Sequence, residues 1–271
     1  MHANQTLLNS IDGPAAVTIN ANGDSEIVLV CEHASNRIPH ALNNLGLEPE
    51  TIESHAAWDP GAAAVALLLS QSLDAPLVNA RFSRLVYDLN RPPEHPDAMR
   101  SVSEVHHVPG NEHLSPEDER ERVNAIYKPF CAQVALVLDK TISRHSNPVL
   151  VTIHTFNPVY HGQKREVELG ILHDDDTRLA DQMLQEAAHL TTMVTRRNEP
   201  YGPEDGVAHT MRLHAIPNGI LNVMLEIRND LVATPEQQTR VAEEIDTILR
   251  AALSMLNAPT KILPLSKGVQ A

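Results

Sequence analysis

The chain of 271 residues has few cysteines and no long apolar run. Each of these two features excludes a class of protein. Its two cysteines, Cys31 and Cys131, are too few for a zinc site built from four thiolates. No stretch has the length and apolarity of a transmembrane helix, and the first residues lack the pattern of a secretory signal. We therefore expect reduced thiols, a cytoplasmic location and no membrane partner.

Positive charge and aromatic side chains are also scarce. The chain carries 21 basic against 35 acidic residues, a net charge of −14, and only 3% of its residues are aromatic. Nucleic-acid binding requires a basic surface, so no nucleic-acid partner is expected. A small anionic substrate remains compatible with this charge, because a few arginines in a cleft can reverse the local field. Nothing in the sequence indicates the oligomeric state.

Apolar, β-branched segments alternate with helical patterns along most of the chain. This alternation predicts an α/β fold with a mixed, mostly parallel, twisted sheet flanked by helices. No linker is visible, so one domain is expected. The predicted boundaries are a loose N-terminal lead-in over 1–24, a single domain over 25–258 and a C-terminal tail over 259–271.

Three apolar segments end in a polar side chain that can carry chemistry. The run 149–154 ends in His154, the run 27–33 ends in His33, and the run 221–226 ends in Glu226. Ligands of open α/β sheets bind at the carboxyl ends of the strands, so we expect these three side chains to meet. Two imidazoles and a carboxylate are the components of a zinc hydrolase site. The alternatives are hydrogen-bonded structural histidines and an ion pair between Glu226 and an arginine such as Arg228.

A fourth segment, residues 82–93, supplies basic groups near the predicted site. We predict a strand over 84–89, followed by Asn90 and Arg91. The planar guanidinium of Arg91 matches a carboxylate bidentately, with Asn90 as a further donor. Arg84 is a second candidate for binding a carboxylate or for polarising a carbonyl. Alternatively, these arginines are surface residues beside an edge strand.

These segments resemble two related groups of hydrolases. His154-Thr155, Asp88-Leu89-Asn90-Arg91 and Glu226-Ile227-Arg228 are similar to the zinc-carboxypeptidase pattern. In that pattern the histidine is a metal ligand, the Asn-Arg pair binds the substrate carboxylate and the glutamate is the catalytic base. A closer resemblance, to the N-formylglutamate amidohydrolase family, is carried by segments spread over about 27–232, namely 31–39, 58–62, 87–91 and 198–201.

The resemblance implies a zinc-exopeptidase-like fold (phosphorylase/hydrolase-like) and cleavage of the C–N amide bond of a small carboxylated N-acyl amino acid. N-formyl-L-glutamate, an intermediate of histidine degradation, is the implied substrate. One zinc ion, or another divalent metal, would be held by His33 and His154, and Glu226 would activate water.

The third metal ligand is left open by the sequence. The carboxypeptidase pattern has a carboxylate three residues after the first histidine, where this chain has Asn36, a poor zinc ligand. We favour Asp59, which precedes a buried apolar helix predicted to contain Pro60 in its first turn, although Asp59 could instead cap that helix. Asn36 or a water is the second choice and Glu32 the third, because neighbouring strand residues point to opposite faces.

The segment 92–116 is rich in proline, histidine and glycine and is predicted to form a long functional loop. We expect its His106, His107 and His113 to lie at the rim of the cleft. Two other functions remain open: a zinc exopeptidase acting on peptides or cell-wall fragments, and a carboxylate-binding protein without a metal. A long loop that closes over a small molecule favours the amidohydrolase over a peptidase, which needs an open groove.

Overall fold

The structure is a computed structural model that describes residues 7–257. Its strands are β1 Ala16–Ile19, β2 Ile27–Cys31, β3 Leu77–Ala80, β4 Val102–Ser103, β5 His106–His107, β6 Val149–Phe156, β7 Val159–Tyr160, β8 Gln163–Lys164, β9 Leu169–Leu172, β10 Thr195–Arg197 and β11 Leu221–Arg228. Its α-helices are α1 Pro49–Glu53, α2 Ala62–Leu73, α3 Pro116–Arg122, α4 Lys128–Ile142, α5 Arg178–Leu190, α6 His209–His214 and α7 Pro235–Asn257. The predicted tail over 259–271 lies outside the described residues.

Seven of these strands form one sheet in the order β1-β3-β2-β6-β11-β9-β10. The four central strands β3, β2, β6 and β11 run parallel, and β10 is parallel to β9. Two pairs, β1 with β3 and β9 with β11, are antiparallel. The predicted mixed and mostly parallel α/β sheet in a single domain is therefore confirmed.

Helices and a buried segment cover both faces of this sheet. One face packs against α2, α5 and α7. The other packs against α4 and against residues 82–89. Because both faces are buried, β2 and β6 are nearly continuous apolar runs rather than alternating ones. None of the helices within residues 7–257 is both long and apolar enough to cross a bilayer.

The sequence did not predict the first strand. β1 lies inside the region expected to be a loose lead-in, and it pairs antiparallel with β3 at the edge of the sheet. Just before it, the carboxylate of Asp12 is almost fully buried and accepts a hydrogen bond from the backbone N–H of His40. A strand of four residues at a sheet edge is too short to show a strong periodicity, so its pairing became evident only in the folded chain.

The prediction of a strand over 84–89 was wrong. This segment consists of turns, in which Ser83 O accepts a bond from Val86 N and Asp88 O accepts one from Arg91 N. Its apolar residues are buried under the sheet, and complete burial produces the same apolar run as a strand does. These turns deliver Arg84, Asp88 and Arg91 to the edge where the parallel strands end.

The helix expected to begin near Pro60 begins at Ala62. Gly61 precedes it with a φ of +87°, which only glycine adopts without strain, and a Cβ at this position would collide with Val232. Pro60 is therefore part of the turn, and the carboxylate of Asp59 is directed away from the helix and into the site described next.

Candidate active site

A polar cavity of about 230 Å³ opens at the carboxyl ends of the parallel strands. Side chains from distant parts of the chain line it, among them His33, Asp59, Arg84, Arg91, His154 and Glu226. All six were selected from the sequence as site residues, and the fold brings them to one place. Because the cavity is small and lined by charged groups, it suits a small polar molecule.

Three of these residues bring one ligand atom each to a common point. Nδ1 of His33 is 3.2 Å from Nδ1 of His154, and Oδ2 of Asp59 is 3.3 Å from the first and 3.0 Å from the second. Ligands about 2.0 Å from a tetrahedral zinc ion are about 3.3 Å from each other. The spacing and the buried N, N, O donor set therefore fit a divalent cation.

Strand register explains why His154 meets two carboxylates. His154 on β6 lies directly opposite Glu226 on the parallel strand β11, so the two side chains project from the same face of the sheet. On the other side, β2 pairs with β6 up to Val30 opposite Thr152. Two residues further on, Glu32 and His154 come together on that same face.

Each histidine has a second carboxylate on the ring nitrogen that faces away from the common point. Nε2 of His33 is 2.8 Å from Oδ1 of Asp88. Nε2 of His154 is 3.1 Å from Oε2 of the fully buried Glu32, although the two groups are not aligned as a hydrogen bond. Carboxylates on the outer nitrogen fix the tautomer that leaves Nδ1 free to bind a metal.

The electrostatics of the cluster follow from this pairing. Burial alone would lower the pKa of His154, but the Glu32 and Asp59 carboxylates outweigh it and raise that pKa well above its usual value. Burial alone would raise the pKa of Asp59, but Arg84 and His33 hold it well below its usual range. Asp59 is therefore ionised, and a bound cation would replace the proton shared among these groups.

Glu226 differs from the other carboxylates of the site. Burial, reinforced by the negative charge of Asp59, raises the pKa of Glu226 to about 7. Its Oε2 has no hydrogen-bond partner among residues 7–257. A carboxyl group with a pKa near neutrality can both accept and return a proton at physiological pH.

The two arginines of the site, Arg84 and Arg91, use some of their N–H donors to bind other groups of the protein. Arg91 donates from Nη1 to Gly206 O at 2.7 Å and from Nη2 to Asp205 O at 3.3 Å, whereas its buried Nε has no partner in the described part of the chain. Asn90 donates to Val207 O and so supports the same loop. Arg84 reaches Oδ1 of Asp59 at 3.1 Å.

Of the three alternatives for the third ligand, only Asp59 joins the histidines. Asn36 donates to Ile52 O, which holds its side chain in the loop before α1. Glu32 contacts the outer nitrogen of His154 instead, because the register between β2 and β6 places it on the same face of the sheet as His154.

Sequence reasoning missed several residues of the site. His55 lies four residues before Asp59 and 3.5 Å from its Oδ1, and it bonds through Nδ1 to Glu104 at 2.8 Å. The long loop therefore borders the cavity through Glu104 rather than through its histidines. A His-x-x-x-Asp spacing was the available signal for His55.

The loop histidines have other partners. His106 bonds to Thr51 at 3.1 Å, and the exposed His107 bonds to Glu112 at 2.8 Å. His113 lines a separate cleft beside Pro109. In this structure, none of the three is among the residues that line the candidate active-site cavity.

Fold and site together define an α/β protein with a charged cavity that opens at the ends of its parallel strands. Residues 25–233 match the family model of the N-formylglutamate amidohydrolases, and the chain belongs to this family of hydrolases. The crystal structure of a gene product from Agrobacterium tumefaciens is 50% identical, with a TM-score of 0.91, and the match covers 93% of this chain and 100% of that one.

A more distant solved structure has the same fold. The N-formylglutamate amidohydrolase from Ralstonia eutropha is 16% identical, with a TM-score of 0.66, and the match covers 89% of this chain and 98% of that one. No curated protein matches the chain.

Proposed function

We propose that this protein is a metal-dependent amidohydrolase that cleaves the C–N amide bond of a small carboxylated N-acyl amino acid such as N-formyl-L-glutamate. The convergence of His33, His154 and Asp59 beside Glu226, whose Oε2 has no hydrogen-bond partner among the described residues, carries this proposal. Family membership supports the substrate class.

The three converging residues would hold one divalent cation, with zinc as the proposed ion. Such an ion, when bound, acts as a Lewis acid and lowers the pKa of a water molecule to about 7. Asp88 and Glu32 keep the outer nitrogens of the two histidines protonated, so that both Nδ1 lone pairs are directed inward.

Glu226 performs the proton transfers of the proposed reaction. It accepts a proton from the attacking water as the water oxygen bonds to the acyl carbon. It then gives this proton to the amide nitrogen, the C–N bond breaks, and a carboxylic acid and a free amino group result. For an N-formyl substrate the acid released is formate.

Arg91, Asn90 and Arg84 are proposed to position the substrate. The unpaired Nε of Arg91 and one remaining N–H of Nη2 form one edge of its guanidinium, which matches a carboxylate. Asn90 supports the loop on which Arg91 rests, and its amide nitrogen donates one hydrogen bond, to Val207 O, within residues 7–257. Arg84, which pairs with Asp59 at the border of the proposed cation site, would polarise the acyl oxygen.

The cavity favours this reaction over cleavage of peptides or cell-wall fragments. A space of about 230 Å³ accommodates a small molecule, whereas a polymer requires an open groove. The buried N, N, O donor set, with its spacings of 3.0–3.3 Å, also speaks for a cation and against a carboxylate-binding protein that works without one.

The test measures cation content and hydrolysis on the same preparation. Protein purified without chelator is expected to contain close to one divalent cation per chain, and to release formate from N-formyl-L-glutamate. Asp59→Asn should lose the cation and the activity. A panel of N-acyl amino acids and peptides defines the substrate; release of amino acids from peptides with no formate release would contradict the proposal.

A further inference from the structure

Arg165 is held against three aromatic rings near the cavity. Its guanidinium carbon lies 4.5 Å from the ring centre of Tyr160, 4.9 Å from that of Tyr201 and 5.5 Å from that of Phe156. Each contact has cation–π geometry. Among the described residues no carboxylate lies within ion-pair distance of Arg165. The guanidinium of Arg165 therefore faces the three rings, and one of its N–H groups donates to the hydroxyl group of one ring.

That hydroxyl group belongs to Tyr201, which lines the cavity. Nη1 of Arg165 donates a hydrogen bond to the phenolic oxygen of Tyr201 at 3.1 Å. A guanidinium has no acceptor, so the hydroxyl proton of Tyr201 must be directed elsewhere. Within residues 7–257 no protein atom accepts this proton. Tyr201 thus offers a free O–H donor inside the cavity.

The backbone places this donor on the side of Glu226. Gly170 on β9 lies opposite Glu226 on β11. A Cβ on Gly170 would collide with the carbonyl oxygen of Glu199, so the missing side chain lets the loop before Tyr201 pass directly over this strand. Burial and the negative charge of Glu226 raise the pKa of Tyr201 to about 12, so the phenol keeps its proton at neutral pH.

We propose that the Tyr201 hydroxyl donates a hydrogen bond to the acyl oxygen of the substrate as that oxygen gains negative charge, and that Arg165 is the positioning residue that aims and polarises this hydroxyl. The inference rests on the function proposed above. A hydrogen bond from a donor that is itself bonded to a cation strengthens as the acceptor becomes charged. It therefore stabilises the transition state more than the bound substrate.

The chain contains a matched control for the test. Tyr160 packs on the same guanidinium and also lines the cavity, but it is exposed, and in the described structure Arg165 donates no hydrogen bond to its hydroxyl group. Tyr201→Phe and Tyr160→Phe each remove one phenolic oxygen and keep the ring on Arg165. We expect Tyr201→Phe to lower kcat by about 10²-fold with KM changed less than about threefold. Tyr160→Phe should stay within about twofold of the unaltered protein.

Arg165 is tested through its effect on Tyr201. Arg165→Met should lower kcat about tenfold, and Arg165→Lys, which retains a cation, should recover part of the loss. If the thermal transition of Tyr201→Phe shows that this variant fails to fold, the kcat values of the two Arg165 variants test the inference in its place. Cation affinity, measured by titration calorimetry, should be the same in all variants that fold.

Two outcomes would overturn the inference. One is an unchanged kcat in Tyr201→Phe; the other is a higher KM at unchanged kcat, which would assign the hydroxyl to ground-state binding only. Failure of the proposed function appears differently, because the unaltered protein and Tyr160→Phe would then both be inactive on every N-acyl amino acid.

Discussion

Strand β6 is buried along its whole length, but its first and second halves are stabilised in different ways. The first half is aliphatic and is stabilised by apolar packing, whereas the second half contains buried polar groups that need partners. Val149, Leu150 and Val151 pack between the two helical layers, and each buried methylene contributes about 0.8 kcal/mol to folding. Directly after them, Thr152 has a buried hydroxyl without a partner in the described chain, and His154, two positions beyond Thr152, lies among three carboxylates. Buried charges of this kind cost several kcal/mol each unless they are paired.

This comparison separates the positions that stabilise the fold from the positions that destabilise it but provide the polar groups of the site. The aliphatic half of the strand is replaceable by other aliphatic residues of similar volume, whereas the polar half depends on individual atoms. Variants should therefore affect stability in the first region and chemistry in the second. The expectations below are arranged from the largest effect to the smallest.

Glu226→Gln should have the largest effect on chemistry and should not weaken the fold. Loss of a general base lowers kcat by about 10²–10⁴-fold, while the cation should remain bound because Glu226 is not among its three ligands. Formate release and cation content measured together check this. Glu168→Gln, which removes a carboxylate paired with Arg228 outside the cavity, is the control. Full activity in Glu226→Gln would remove Glu226 from the mechanism.

The same variant should change how stability depends on pH. Burial raises the pKa of Glu226 from 4.5 to about 7, so the folded state holds its proton more tightly than the unfolded state. The stabilising effect of this proton is complete below pH 4.5 and is lost as the pH rises to 7, a change on the order of 3 kcal/mol. In cation-free protein, Glu226→Gln should gain stability over the unaltered chain between pH 5 and pH 8. Parallel denaturation midpoints across this range would contradict the raised pKa.

The outer carboxylates should affect cation affinity to a smaller extent. Glu32→Gln and Asp88→Asn each leave a histidine without its carboxylate partner, and we expect cation affinity to fall about 10–100-fold. Asp12→Asn removes a carboxylate that is equally buried but remote from the cavity, and it should leave the affinity unchanged. If the first two variants bind the cation as tightly as the unaltered protein, the outer carboxylates serve only folding.

The apolar positions of β6, including Ile153 between the polar residues Thr152 and His154, should show the reverse behaviour. Ile153→Val removes one buried methylene next to His154 and should lower the free energy of unfolding by about 0.5–1.5 kcal/mol. Cation affinity and kcat should not change, because the side chain of Ile153 faces the opposite helical layer. A loss of activity without a loss of stability would show that the two halves are coupled.

The convergence of His33, His154 and Glu226 could be predicted because each follows an apolar run and the carboxyl ends of parallel strands share one edge. Asp59 could be favoured over Asn36 from ligand chemistry, but its place in the site could not be established from the sequence, since the direction of its carboxylate depends on where α2 begins. The pairing of Glu32 with His154 could not be predicted. It requires the register between β2 and β6, which no local pattern encodes.

Local patterns in the chain were sufficient to determine the α/β class, the central strands and the polar residues that end them, because apolar periodicity and turn residues act over a few positions. Only the tertiary structure decided that 84–89 is a set of turns, which oxygen joins the two histidines, and that Tyr201 reaches the cavity from its loop. Those outcomes depend on register, on chain direction and on close backbone approaches such as that at Gly170, and these arise from contacts between segments far apart in the sequence.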